Sequence, residues 1–92
     1  MSGLTYNEAE KRYEMPVEGG IAFARVRRKE DVLYIDYVET PRSQRGTGLG
    51  GKFMVALMNQ VRQENLKAAP ICSFAATWLN RHPEYNDLKA IP

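Results

Sequence analysis

The chain has one cysteine, one histidine and one tryptophan in 92 residues, and these scarcities exclude several classes of protein. Cys72 has no second thiol for an internal disulfide. With His82 as the sole imidazole, no Cys/His set has zinc-ligand spacing, so we expect no metal. No apolar run approaches the roughly 20 residues that cross a bilayer. Met1 to Arg12 is polar and lacks the apolar centre of a secretory leader. A cytoplasmic protein without a membrane partner is expected. An excess of one charge is also missing: 13 Lys+Arg stand against 11 Asp+Glu, a net of +2. Nucleic-acid binders concentrate basic residues on one face, so a nucleic-acid partner is not expected. Arg25, Arg27, Arg28 and Lys29 read as solvated surface. Repeats, low-complexity segments and linkers are absent from the sequence, and residues 1–92 are read as one domain.

What is present is the composition of a globular protein, 43% hydrophobic and 26% charged, arranged in short periodic runs. Leu4 to Asn7 is a short strand followed by a polar turn. Arg12 to Val17 alternates apolar and polar residues as a half-buried strand does, and Pro16 places its end or an edge there. Glu18-Gly19-Gly20 is a hairpin turn. Ile21 to Arg28 is the next strand, and Arg27 to Asp31 reads as a charged hairpin loop. Val32 to Thr40 is rich in β-branched and aromatic residues on both faces, which predicts a central strand ended by Pro41.

A helix is predicted from Gly50 or Gly51 to about Asn65. Phe53, Leu57 and Val61 form its buried stripe, Met54, Ala56 and Met58 widen it, and Gln60, Arg62, Gln63 and Glu64 face water. Leu66 to Cys72 follows as a strand parallel to Val32–Thr40, closing a right-handed βαβ unit. Ser73 is the expected cap of a last helix, Phe74 to Arg81, stopped by His82-Pro83. Beyond it Tyr85, Leu88 and Ile91 are expected to pack back. The fold class is α+β: an antiparallel meander, a βαβ unit and a short C-terminal helix.

Between the central strand and the long helix lies Gln44-Arg45-Gly46-Thr47-Gly48-Leu49-Gly50-Gly51-Lys52. Glycines permit positive φ and close approach of a ligand to the backbone. The helix N-terminus behind them offers unpaired amides to an anion, phosphate above all. Three phosphate-loop patterns fit formally. Gly46 to Gly51 matches G-x-G-x-x-G, but five residues separate it from the strand and the preceding strands read as antiparallel, so the dinucleotide fold is rejected. Gly46 to Lys52 matches G-x-x-x-x-G-K, but Phe53 stands where a magnesium-binding hydroxyl is required, which excludes ATP hydrolysis.

The third pattern is Arg45-Gly46-Thr47-Gly48-Leu49-Gly50, which resembles motif A of the Gcn5-related N-acetyltransferases. Val38-Glu39-Thr40-Pro41, Pro70-Ile71-Cys72-Ser73-Phe74 and Arg81-His82-Pro83-Glu84-Tyr85 extend the likeness to the family's minimal, single-domain subgroup, from about Arg12 to Leu88. Tyr37 departs from that pattern, standing where the subgroup often has histidine.

The resemblance implies a mixed sheet splayed between Val32–Thr40 and Leu66–Cys72, with acetyl-CoA in the gap. Backbone groups of Val38 to Thr40 would pair with the pantetheine arm. The amides of Arg45, Gly46, Thr47, Gly48, Leu49, Gly50 and Gly51 would take the pyrophosphate, and Arg45 or Lys52 would add charge. Arg42 is a candidate for the 3′-phosphate. The implied function is acetyl transfer from CoA to an amine, whose acceptor is unidentified; a CoA-binding module without catalysis is the alternative. Transfer needs a neutral amine. Deprotonating a lysine at pH 7 costs on the order of 4–5 kcal/mol, at roughly 1.4 per pH unit. Glu39 is the candidate base, Cys72 a candidate acetyl carrier or acid, and Tyr37 a candidate acid; Tyr85, His82 and Trp78 are read as packing residues. A monomer or a weak homodimer is expected.

Overall fold

The four hairpin-linked runs at the start of the chain pair with their sequence neighbours and build the sheet in chain order. The computed structural model describes residues 3–44 and 46–90. Five strands, β1 (Thr5–Asn7), β2 (Arg12–Val17), β3 (Gly20–Lys29), β4 (Val32–Glu39) and β5 (Lys67–Pro70), lie in the order β1-β2-β3-β4-β5. The first three pairings are antiparallel and β4–β5 is parallel. Helix α1 (Leu49–Gln63) connects β4 to β5, and α2 (Ser73–Asn80) follows β5. The result is the mixed-sheet α+β architecture that the periodicities predict.

Alternation decides which face is wet. Tyr13 and Met15 of β2, Ala22, Ala24 and Val26 of β3, Leu33 and Ile35 of β4 and Ala68 of β5 are buried, and so is the α1 stripe Phe53, Met54, Ala56, Leu57, Met58 and Val61. Ala75, Trp78 and Leu79 of α2 complete this core. Both helices therefore cover one face of the sheet. Complete burial of each large side chain in it stabilises the fold by roughly 1.5–3 kcal/mol. The outer face of β2, β3 and β4 carries Arg12, Glu14, Phe23, Arg25, Arg27, Asp36 and Glu39, none of them buried.

Helix α1 ends where Asn65 takes a left-handed φ of 57°. The Asn65 amide donates to the Arg62 carbonyl and the Leu66 amide to the Val61 carbonyl, at 3.1 and 3.0 Å. These are the two bonds of a Schellman stop, with asparagine in place of glycine. The chain is thereby turned directly into β5, whose Lys67 amide bonds to the Asp31 carbonyl at 2.8 Å. After α2, a 3₁₀ helix at Pro83–Leu88 returns to the core with Leu88 buried and Tyr85 packed against it. The expectation for Ile91 lies outside the described residues.

Several expectations are corrected. Arg27 and Arg28 lie in β3 as the strand reading has them, and Lys29 joins them, paired with Tyr34, Leu33 and Val32, so the loop is only Glu30–Asp31. Arg27 is stable in a strand because Asp36 accepts two hydrogen bonds from it, at 2.6 and 2.9 Å, and Tyr34 lies under its guanidinium. α1 starts at Leu49 rather than Gly50 or Gly51. β5 stops at Pro70, so Cys72 is not a strand residue. It is the extended N-cap residue of α2, φ −64° and ψ 130°, and Ser73 is already helical. Pro16, by contrast, lies at an edge as expected, because β1 pairs only with Arg12 to Glu14.

One of the residues assigned to the wet face of α1 is instead bound to the sheet. Glu64, at the C-terminal end of the helix, accepts a hydrogen bond from the Tyr13 hydroxyl at 3.1 Å and another from the Gln60 amide. Burial, and then the neighbouring carboxylate, push the Tyr13 phenol up from 10.0 to about 12. The folded chain thus holds this proton more tightly than the unfolded one. Its contribution to stability is complete below pH 10 and is lost as pH rises towards 12. Phenolate absorbance should show Tyr13 ionising at about pH 12 in the folded protein. Tyr13→Phe should remove that component of the fall in urea-melt stability above pH 10.

Candidate functional site

The parallel pairing of β5 with β4 is short, and the candidate site begins where it stops. Val32 to Ile35 pair with Lys67 to Pro70. The amides of Ile71 and Cys72 then both donate to the Ile35 carbonyl, at 3.0 and 2.9 Å. From there the chain turns away into α2, while β4 continues through Asp36 to Glu39 along β3 alone. The two strands diverge, and the β5-facing edge of β4 is open beyond Ile35.

A bulge sits on that open segment. Val26 is opposite Ile35 and Arg25 opposite Tyr37, so Asp36 has no counterpart in β3. The extra residue shifts the alternation by one. Val38 rather than Tyr37 then follows Ile35 toward the core, while Tyr37 is 46% exposed. Tyr37 and Glu39 share the outer face, where the Tyr37 hydroxyl donates to Glu39 Oε1 at 2.6 Å. Asp36 is held by Arg27, whose hydrogen bonds lower the Asp36 pKa.

The glycine loop closes the other wall of the gap. After Pro41 a 3₁₀ turn, Arg42–Gln44, is followed by a tighter turn in which Thr47 directs both its amide and its hydroxyl to the Gln44 carbonyl, at 3.2 and 2.6 Å. Gly46 and Gly48 have φ of 84° and 85°, a region that costs other residues roughly 1–2 kcal/mol. Gly48 caps α1 without a side chain, and the first helical bond runs from the Lys52 amide to the Gly48 carbonyl. The amides of Leu49, Gly50 and Gly51 precede it and have no partner within the helix. They supply the positive end of the α1 dipole.

Gly50 and Gly51 are small for a different reason. A Cβ on Gly50 would lie 2.9 Å from the Phe74 ring, and one on Gly51 would lie 3.3 Å from Trp78 Nε1. These two glycines let α2 approach the start of α1, whereas Gly46 and Gly48 have open space above them. Phe74, 43% exposed, thereby covers the helix end like a shelf.

Between these walls is a cavity of about 380 Å³. Tyr37, Val38, Glu39 and Thr40 line it from β4, Gly46, Gly48, Gly50 and Gly51 from the loop and helix, and Gln44 and Phe74 complete it. Thus eight of the residues singled out in the sequence converge, although 14 positions separate Tyr37 from Gly51. Thr47, Leu49 and Lys52 do not line it: Leu49 packs against the core and Lys52 is exposed. Arg45 lies outside the described residues. Cys72 is half-buried against the core and is not among the lining groups. His82 stacks on Trp78 at 3.8 Å and its Nδ1 lies 2.7 Å from the Trp78 carbonyl, which places it at the end of α2.

Sequence reasoning did not single out Gln44 and Phe74 as site residues, although Phe74 closes a quoted motif. Among the described residues no three His, Cys, Asp or Glu side chains group as a metal site, and no helix is long and apolar enough to cross a membrane. An open strand edge beside unpaired helix-terminal amides suits an extended, amide-bearing ligand with a phosphate at one end.

Comparison with known proteins gives two findings. The family described as GCN5-related N-acetyl-transferase matches residues 12–88. The fold is similar to the NMR solution structure of a GCN5-like protein from Staphylococcus aureus, with a TM-score of 0.68 and 24% identity, covering 98% of this chain and 91% of that one. No curated protein sequence matches the chain.

The two classes of glycine should separate in a urea melt. Gly48→Ala should lose roughly 1–2 kcal/mol, because its left-handed φ is strained for any Cβ. Gly50→Ala should lose less, because the exposed Phe74 ring can swing aside.

Proposed function

The chain belongs to the GCN5-related N-acetyltransferase family, and from that premise we propose that it transfers an acetyl group directly from acetyl-CoA to an amine. The observation that carries the reading is the divergence of β4 and β5 at Ile35 beside the open amides of α1. The fit is physical: the β4 edge from Asp36 to Glu39 can pair with the two amides of a pantetheine arm as a sixth strand would. Leu49, Gly50 and Gly51 present amides to the pyrophosphate, and the space above Gly46 and Gly48 admits it. When bound, acetyl-CoA supplies an acyl thioester.

The residues of this chain do the rest. A β4 amide near Val38 polarises the carbonyl as an oxyanion donor. Glu39 takes the proton of the incoming amine, and Tyr37, bonded to it at 2.6 Å, orients the carboxylate and lies close enough to the same cavity to return a proton to the departing thiol. Cys72 has a packing role, in keeping with its place against the core and outside the cavity lining. Arg45 and Lys52 add positive charge to the approach of the phosphates.

Calorimetric titration should show saturable acetyl-CoA binding, with no heat from ATP or NADH. No binding at near-millimolar acetyl-CoA would overturn the proposal. Glu39→Gln should lower acetylation, followed by release of CoA thiol, by about 100-fold or more while leaving acetyl-CoA affinity intact. Cys72→Ala should leave turnover unchanged. Binding without turnover of any amine would leave a CoA-binding module.

A further inference from the structure

The helices occupy the inner face of the sheet, so an acceptor can reach the open edge of β4 only across the outer face. On that face the strand registers set two rungs side by side. Arg12, Arg25 and Tyr37 stand opposite one another in the first, and Glu14, Phe23 and Glu39 in the second. Most of the charge there is already paired. Arg12 Nε lies 2.6 Å from Glu14 Oε2 and Arg27 Nε lies 2.6 Å from Asp36 Oδ2, and both carboxyls are held below their ordinary values by those arginines.

Two charges remain. Arg25 is exposed, rests near the Phe23 ring at 5.6 Å and has no carboxylate partner among the described residues. Glu39 receives one hydrogen bond among the described residues, from the Tyr37 phenol. Arg25 and Glu39 form one diagonal of a four-residue patch whose other diagonal is Phe23 and Tyr37, with ring centroids 6.2 Å apart. Diagonal neighbours on one sheet face have Cβ atoms roughly 7–8 Å apart. Long side chains therefore reach both ends of a small ligand lying between them.

A patch with one free cation, one weakly engaged carboxylate and an aromatic floor between them is complementary to a zwitterion. We propose that the acceptor is a small amine of the amino-acid type, its carboxylate bound by Arg25, its amine delivered to Glu39 and its side chain laid against Tyr37, beside the Phe23 ring that the Arg12 guanidinium already covers at 4.1 Å. This rests on the acetyltransferase reading above and names its substrate class. Arg25 fixes the carboxylate by a charge-assisted, bidentate pair that lysine would not reproduce. A diamine would place a second cation against Arg25 and be disfavoured there.

The test compares each amino acid with the amine left by its decarboxylation: phenylalanine with phenethylamine, and lysine with cadaverine. CoA release is followed with acetyl-CoA saturating, and acetyl-CoA affinity is measured separately by calorimetry. The wild type should favour the amino acid by about tenfold or more in kcat/KM, which corresponds to about 1.4 kcal/mol. Arg25→Gln should bring that ratio close to one through KM of the amino acid, with acetyl-CoA affinity retained. Lys29→Gln, a charge change at the far end of β3, should keep the ratio. Equal rates for both members of a pair, a preference for the decarboxylated amines, a ratio that survives Arg25→Gln, or no transfer to either despite acetyl-CoA binding would overturn this inference and leave the cofactor site standing. Failure to bind acetyl-CoA would overturn the acetyltransferase reading, and this inference with it.

Discussion

One carbonyl decides the shape of this protein. Ile35 accepts the last two amides that the β5 segment offers, from Ile71 and Cys72, and after it β4 and β5 have no further bonds to exchange. Pro70 contributes to that ending, since proline has no amide to extend the ladder. Everything at the site follows from the separation. The free edge of β4 exists because pairing stops there, α2 begins where the diverted chain next can, and Phe74 reaches the start of α1 because α2 begins so early.

The second constraint is the close approach of two helix ends on one side of the sheet. Gly50 and Gly51 admit Phe74 and Trp78, and Gly46 and Gly48 turn the loop so that the α1 amides face the gap. Four glycines in six residues are thus two pairs with different physical duties. Gly46 and Gly48 need their positive φ to turn the loop. Gly50 and Gly51 lack a Cβ because α2 packs against them, and both line the cavity.

The periodic parts of the fold were legible because their signal lies within one stretch of chain. The α1 stripe from Phe53 to Val61 is buried as the 3.6-residue spacing requires, and β2 runs from Arg12 to Val17 as its alternation predicts. Features set by pairs of segments were not legible. The bulge at Asp36 depends on the register of β3 against β4, and it alone turns Tyr37 and Glu39 to the same face as Arg25. Arg27 read as part of a loop as well as of a strand because its stabilising partners, Asp36 and Tyr34, lie across the turn. Cys72 was placed in β5 because sequence does not say which amide will be the last to pair. Glu64 looked like a solvent residue because its tyrosine lies 51 positions away.

The strand order has a consequence for how the chain reaches this state. Position in the sheet equals position in the sequence, β1 to β5 without a jump. Two of the hairpins close through loops of only two residues, Glu18–Gly19 and Glu30–Asp31. Each new strand thus meets an already adjacent partner, and the entropy lost in closing each loop is small. The sole long connection is filled by α1, which shortens it as it forms. Pairing between sequence neighbours keeps the contacts of the meander local, and local contacts accompany faster folding.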